Sequence, residues 1–132
     1  MSLFSFPKYE RLKSRKDIET LFRTGKAFFI SPLKIIYLEL PSQSGMPPIQ
    51  FGVSAPKRNF KRAVDRNLIK RRIRAIYRTT KSGWLKQPEG NSIRLQLWIL
   101  YNGKQIPTSA QLTAWMAEIP VRLEAALSRS RS

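Results

Sequence analysis

The sequence contains no cysteine and no histidine, and its acidic residues are few: 8 Asp and Glu stand against 25 Lys and Arg among 132 residues. These absences exclude a zinc site built on Cys and His, a thiol nucleophile and an imidazole base. The carboxylates are scattered singly, whereas a two-metal nuclease needs several that converge. We therefore expect no complete catalytic site in the protein and no metal bound by the protein alone.

Long hydrophobic runs are also missing. The longest uninterrupted apolar run is Leu97–Tyr101, far below the roughly 20 residues of a membrane-spanning helix. Residues 1–10 contain no apolar segment long enough for a signal peptide. The sequence thus predicts a cytoplasmic protein with no membrane partner.

What the sequence has in excess is positive charge, +17 in total, on a chain that is still 42% hydrophobic. A chain of this length and composition can bury a core without disulfides or metal. We expect one domain over residues 1–127 and a disordered tail over residues 128–132, where SRSRS offers nothing to bury. The charge points to a polyanionic partner.

The residue pattern predicts a fold of the α/β class, an α+β two-layer arrangement in the order α-β-β-α-β-α. Ser14 and Gly25 bracket a first helix, Arg15–Thr24. Residues 27–40 are β-rich and interrupted at Pro32, turn residues follow, and residues 49–54 read as the returning strand of a hairpin.

The second half of the chain predicts a helix over residues 63–80, a strand over residues 93–101 and a last helix capped by Thr108 or Ser109. Pro120 is expected to kink or break that last helix. Residues 49–101 have the form of a β-α-β unit, so we expect a mixed sheet packed by helices.

The positive charge is concentrated in residues 57–78, which hold ten basic residues and one acid, Asp65. At about 100° per residue, the apolar residues of the predicted helix share one face, and an amide and four cations share the adjoining one. These cations repel one another if nothing neutralises them, and an RNA backbone would do so. A solvated basic face is the simpler alternative, and a membrane surface is a weaker candidate because the apolar face of the helix is committed to the core. The residues of this polar face are Asn67, Lys70, Arg71, Arg74 and Arg78, while Arg66 projects closer to the apolar face.

Residues 63–74 (AVDRNLIKRRIR), followed by Tyr77 and Arg78, resemble the Arg-Asn-Arg signature helix of the bacterial ribonuclease P protein component. The resemblance covers roughly residues 10–127 and is strongest in this segment. The other matching segments are Arg11-Leu12, residues 17–22 with Gly25, Phe51-Gly52-Val53-Ser54 and Lys57-Arg58.

The resemblance implies the protein subunit of ribonuclease P, which binds a catalytic RNA and precursor tRNA. The RNA subunit removes the 5′ leader by hydrolysis and supplies the Mg²⁺ sites, and DNA is not a partner. It also implies a β-α-β crossover that is left-handed, against the general rule. The RNA-binding residues that it implies are Lys57, Arg58, Arg66, Asn67, Lys70, Arg71, Arg74 and Arg78.

A second site implied by the resemblance is a cleft between the sheet and the N-terminal helix that receives the single-stranded leader. Its residues would be Ile18, Phe22, Ile36 and Tyr37, and Phe28 and Phe29 are further candidates for base stacking. Ile18 stands where the family often has an aromatic residue. Core packing is an equally good interpretation for each of these apolar side chains.

A ribosomal or other structural RNA-binding protein is the main alternative, because it would share the charge and size of this chain. A DNA-binding module is more remote, since no two-helix reading motif is visible. The signature segment favours ribonuclease P over both.

Overall fold

A computed structural model describes residues 10–41, 45, 47–84 and 93–131. The elements follow the order α-β-β-β-α-β-α-α, in which one predicted β-rich stretch and the predicted last helix are each divided in two. They are α1 (Arg15–Thr24), β1 (Lys26–Ile30), β2 (Leu33–Pro41), β3 (Ile49–Ser54), α2 (Ala63–Thr80) with a 3₁₀ turn (Lys81–Gly83), β4 (Ile93–Tyr101), α3 (Ser109–Met116) and α4 (Ile119–Arg131).

The boundaries of α1 are those predicted, and local chemistry explains them. The Ser14 hydroxyl accepts a hydrogen bond from the Asp17 N–H at 3.3 Å and so caps the first turn. Gly25 ends the helix in an extended conformation, with φ −71°. Glycine is required there by close approach, because a Cβ would lie 2.4 Å from the Leu21 carbonyl oxygen.

The four strands form one mixed sheet in the order β1-β2-β4-β3. β4 runs antiparallel to β2, from Leu33 opposite Tyr101 to Pro41 opposite Ile93, and parallel to β3. The predicted hairpin between residues 27–40 and β3 is therefore wrong, because β4 lies between them. β4 is one of the two interior strands, and its residues Leu95, Leu97 and Ile99 are fully buried there.

The parallel pairing of β3 with β4, with α2 between them in the chain, confirms the β-α-β unit and the mixed sheet. The left-handed sense of the crossover stays a prediction. The turn expected between β2 and β3 falls partly on residues 42–44 and 46, outside the described residues, and Gly45 within it has a left-handed φ of +84°.

The sheet has two different faces, and the helices are divided between them. On one face α2, α3 and α4 bury the main core against the inward-pointing residues of all four strands. On the other, which we call the α1 face, Leu12 and Leu21 pack with Ile36, and Ile18, Leu38 and Trp98 lie at the margin. Because alternate residues of a strand point to opposite faces, this division fixes which side chains can reach α1.

The C-terminal region confirms the predicted break at Pro120 and corrects the predicted tail. Thr108 caps α3 in a reciprocal capping box with Gln111, and Pro120 lies in the first turn of α4, where its missing N–H is tolerated. Residues 128–131 continue α4 instead of being disordered, since extending a formed helix adds one backbone hydrogen bond per residue without needing burial. Ser132 lies outside the described residues.

Candidate nucleic-acid interface

α2 separates apolar and cationic residues as its sequence predicts. Ile69, Ile73 and Tyr77 are buried in the main core. The adjoining side, which we call the cationic face, carries Asn67, Lys70, Arg71, Arg74 and Arg78; Lys70 is half-buried and the others are exposed. The apolar side of α2 therefore attaches the helix to the sheet, and this attachment fixes the position of the polar groups on its other side.

Arg66 has a different place from the other cations of the signature segment. Its Nη1 donates to the Phe60 carbonyl oxygen at 2.7 Å and to the Lys61 carbonyl oxygen at 3.0 Å. The guanidinium thus holds the end of the preceding loop against the first turn of α2, which agrees with its projection away from the cationic face. Its geometry is that of a residue that positions the loop.

The loop before α2 is anchored in its middle and presents cations on both sides of the anchor. The Asn59 amide donates to the carbonyl oxygens of Asn102 (3.4 Å) and Gly103 (3.3 Å) beyond the end of β4. Phe60 is buried. Lys57 and Arg58 are exposed, so this anchored loop extends the positive surface of α2.

Arg72 belongs to the cationic cluster in sequence but not in space. Its Nη1 donates to the Pro107 carbonyl oxygen at 2.6 Å and ties α2 to the start of α3. Adjacent arginines on α2 thus face different surroundings, since Arg71 is exposed.

Arg11 is a residue of this surface that the helix pattern did not reveal. Although the Arg74 side chain is exposed, its pKa is lowered from its ordinary value, first by partial desolvation of the guanidinium and second by the positive charge of Arg11. Arg11 follows no helical period with α2, so only its place in the fold, beside β3, brings it there.

The α1 face carries an aromatic pair at its margin. The Phe22 side chain is 49% exposed, and its ring meets that of Trp98 edge to face, with centroids 5.6 Å apart. The Trp98 indole N–H donates to the Ser54 hydroxyl at 2.9 Å, which fixes the ring. Gly52 lies below it, and a Cβ there would approach the indole to 2.2 Å.

The structure brings together three of the four predicted cleft residues and excludes the fourth. Ile18, Phe22 and Ile36 lie on the α1 face with Trp98. Tyr37 was a wrong prediction for this cleft: it follows Ile36 on β2, points to the opposite face and packs against Phe28 in the main core. Alternation along β2 and β4 could have separated Tyr37 from Ile36 and identified Trp98.

Phe29 is exposed, and alternation along β1 puts it on the α1 face rather than with Phe28. The ammonium group of Lys34 lies 5.7 Å from the centre of its ring. Proteins that bind single-stranded nucleic acid commonly stack the bases on exposed aromatic rings and place cations nearby for the phosphates.

Two negative findings apply to the part of the chain that the structure describes. No three His, Cys, Asp or Glu side chains there lie close enough together to hold a metal ion. No helix within the same residues is long and apolar enough to span a membrane.

The fold and this surface define a class: a small α+β protein that carries about half of its net positive charge on one helix and one loop, beside a partly open sheet face. The family model described as Ribonuclease P matches residues 6–105. The chain belongs to the ribonuclease P protein family.

Relatives named "Ribonuclease P protein component" agree with this assignment. The protein from Porphyromonas gingivalis is 42% identical over 78 residues, which cover 59% of this chain and 56% of that protein. The one from Chlorobium phaeobacteroides is 34% identical over 106 residues, 75% of this chain and 73% of its own length. The chain thus spans little more than half the length of the first of these relatives.

Solved structures show the same fold. The Staphylococcus aureus RNase P protein superposes with a TM-score of 0.66 at 19% identity, covering 89% of this chain and 94% of that one. The Thermotoga maritima RNase P protein gives 0.67 at 19% identity, covering 85% and 96%. These likenesses confirm the expected mixed sheet and helices.

Proposed function

We propose that this chain is the protein subunit of ribonuclease P, and that it assists removal of the 5′ leader from precursor tRNA by a catalytic RNA. The observation that carries the proposal is the signature segment itself: it forms α2, buries its apolar side and leaves its amide and cations outward. Family membership supports precursor tRNA as the substrate, and the concentrated positive charge supports binding through RNA phosphates.

The division of labour follows from the residues that the chain has. Hydrolysis of a phosphodiester needs metal ions or a strong base, and the protein has no histidine and only scattered carboxylates. The Mg²⁺ ions of the reaction would be held by the RNA subunit. In this proposal the protein neutralises RNA phosphates with the cationic face and the loop at Lys57 and Arg58, and works in the cytoplasm.

The cleft beside α1 would receive the leader of the precursor. Phe22 and Trp98 form an aromatic pair whose ring faces can stack on bases. Such stacking does not depend on which base is present. Ile18 and Ile36 add apolar surface but have no ring on which a base could stack. In this chain the stacking of leader bases would therefore depend on Phe22 and Trp98.

Reconstitution tests the proposal directly. The protein is added to the cognate ribonuclease P RNA at low Mg²⁺, where the RNA alone cleaves precursor tRNA poorly, and cleavage at the mature 5′ end is measured. We expect faster cleavage, because the protein replaces Mg²⁺ in screening phosphate repulsion. Binding to the RNA without stimulation would instead identify a structural RNA-binding protein.

A further inference from the structure

The segment before α1 is fixed against the body of the protein by contacts of three kinds. The Leu12 N–H donates to the Phe51 carbonyl oxygen at 2.9 Å, and Arg11 forms a parallel bridge with Phe51 at the edge of β3. The Glu10 carboxylate receives the Lys81 ammonium at 2.9 Å from each oxygen, with both side chains mostly buried. Leu12 itself is buried on the α1 face.

This attachment directs the Arg11 side chain toward α2. Residues paired across a parallel bridge point to the same side of the sheet, so Arg11 lies on the side of Phe51 while Leu12 lies on the other. The Phe51 ring stacks on that of Tyr77 with centroids 4.0 Å apart. Tyr77 is one helical turn after Arg74, and thus Arg11 and Arg74 converge where β3 meets α2.

Two guanidinium groups brought together in this way oppose each other. Partial desolvation of the Arg74 guanidinium, and to a smaller extent the positive charge of Arg11, disfavour the charged form of Arg74. The negative charge of a bound anion would offset this repulsion and favour the charged form of both guanidinium groups, and guanidinium forks match the oxygens of a phosphate in geometry. Because Arg74 belongs to the cationic face of α2, a phosphate here would lie in line with those bound by that face.

We propose that Arg11 and Arg74 bind one RNA phosphate between them, and that the Glu10–Lys81 ion pair positions Arg11 for this contact. The inference rests on the proposed RNA-binding function and extends it to the segment before α1. It makes Glu10, an acid, a residue that favours the binding of a polyanion.

The test measures the salt dependence of binding for two RNAs, the cognate ribonuclease P RNA and an unrelated folded RNA, a tRNA transcript. For Arg11→Ala we expect the slope of log K against log salt to fall by about one and the Kd at 150 mM salt to rise about tenfold on both RNAs. Lys13→Ala, an exposed cation of the same segment, is the matched control and should change the Kd by less than about twofold.

Glu10→Gln separates positioning from simple charge. Removal of a carboxylate should tighten RNA binding if only net charge matters, whereas loss of the ion pair should weaken it about threefold or more if Arg11 needs positioning. In the Arg11→Ala background the weakening should disappear. Thermal melting of each variant verifies that it folds.

The outcomes distinguish this inference from the function on which it rests. Equal effects of Arg11→Ala and Lys13→Ala, or tighter binding by Glu10→Gln, would overturn the inference while leaving the function intact. Equal affinity of the wild type for the two RNAs would count against the function alone, because the phosphate contact can still be read from the tRNA salt slope. Absence of binding to either RNA would overturn both.

Discussion

At the scale of single residues, Phe22 is the exposed half of the aromatic pair on the α1 face. Phe22→Ala removes a stacking surface, which is worth about 1–3 kcal/mol per base. We expect the variant in complex with the RNA subunit to bind precursor tRNA with a leader more weakly, and mature tRNA as before. The exposed Val121 of α4 provides the control Val121→Ala, and equal losses on both substrates would indicate a packing defect.

Gly52 is the residue on which the position of Trp98 depends. Gly52→Ala places a methyl group 2.2 Å from the indole, so the ring must move or the strands must separate, at a cost of roughly 1–3 kcal/mol. Urea denaturation should show this loss. Gly83→Ala, where a Cβ meets nothing within 4 Å, should stay within about 1 kcal/mol of the wild type, and similar losses in both would contradict the role of Trp98.

At the scale of the element, the proposed function divides the arginines of α2 between RNA binding and structure, and the neighbours Arg71 and Arg72 test this division. Arg72→Ala leaves the Pro107 carbonyl oxygen without its donor and should lower the free energy of unfolding by about 1–3 kcal/mol with little change in the RNA salt slope. Arg71→Ala should do the reverse, lowering the slope by about 0.7–0.9. Denaturation and binding titrations on both variants check this, and matching effects would refute it.

The same element shows how far sequence reasoning reaches. The period of α2 predicted both its bounds and its polar side, because burial of Ile69, Ile73 and Tyr77 is a local property of the helix. The partner of Arg72 could not be predicted, since Pro107 is brought near only by the packing of α3. The position of β4 between β2 and β3 could not be predicted for a similar reason. Turn residues predict that the chain reverses direction after β2, but they do not show that a later strand lies between β2 and β3.

At the scale of the whole molecule, buried tyrosines make stability depend on alkaline pH. Burial raises the pKa of Tyr37, Tyr77 and Tyr101, with smaller contributions from Glu39 at Tyr37 and Glu10 at Tyr77. Below pH 10 these phenols are neutral in both states; above it they ionise more readily in the unfolded chain, so stability is lost as the pH rises. We expect tyrosinate absorbance to appear together with unfolding.

Tyr77→Phe isolates the largest of these effects. At neutral pH the variant is less stable because it lacks the contacts of the Tyr77 hydroxyl. It also lacks the phenol whose pKa is raised most, so its free energy of unfolding should fall less steeply than that of the wild type above pH 10. Denaturant titrations between pH 8 and about 11.5 measure the two slopes. Parallel curves would mean that the ring, and not its ionisation, determines the contribution of Tyr77.

The insertion of β4 between β2 and β3 has a consequence for how the chain folds. β1 and β2 are joined by a short connection and can pair early, whereas β3 finds its neighbour only after residues 55–92 have been made. Closing so long a loop costs entropy before any contact repays it. We therefore expect the β1–β2 hairpin to form first on the ribosome, and β3 with α2 to join the sheet in a single late step when β4 emerges.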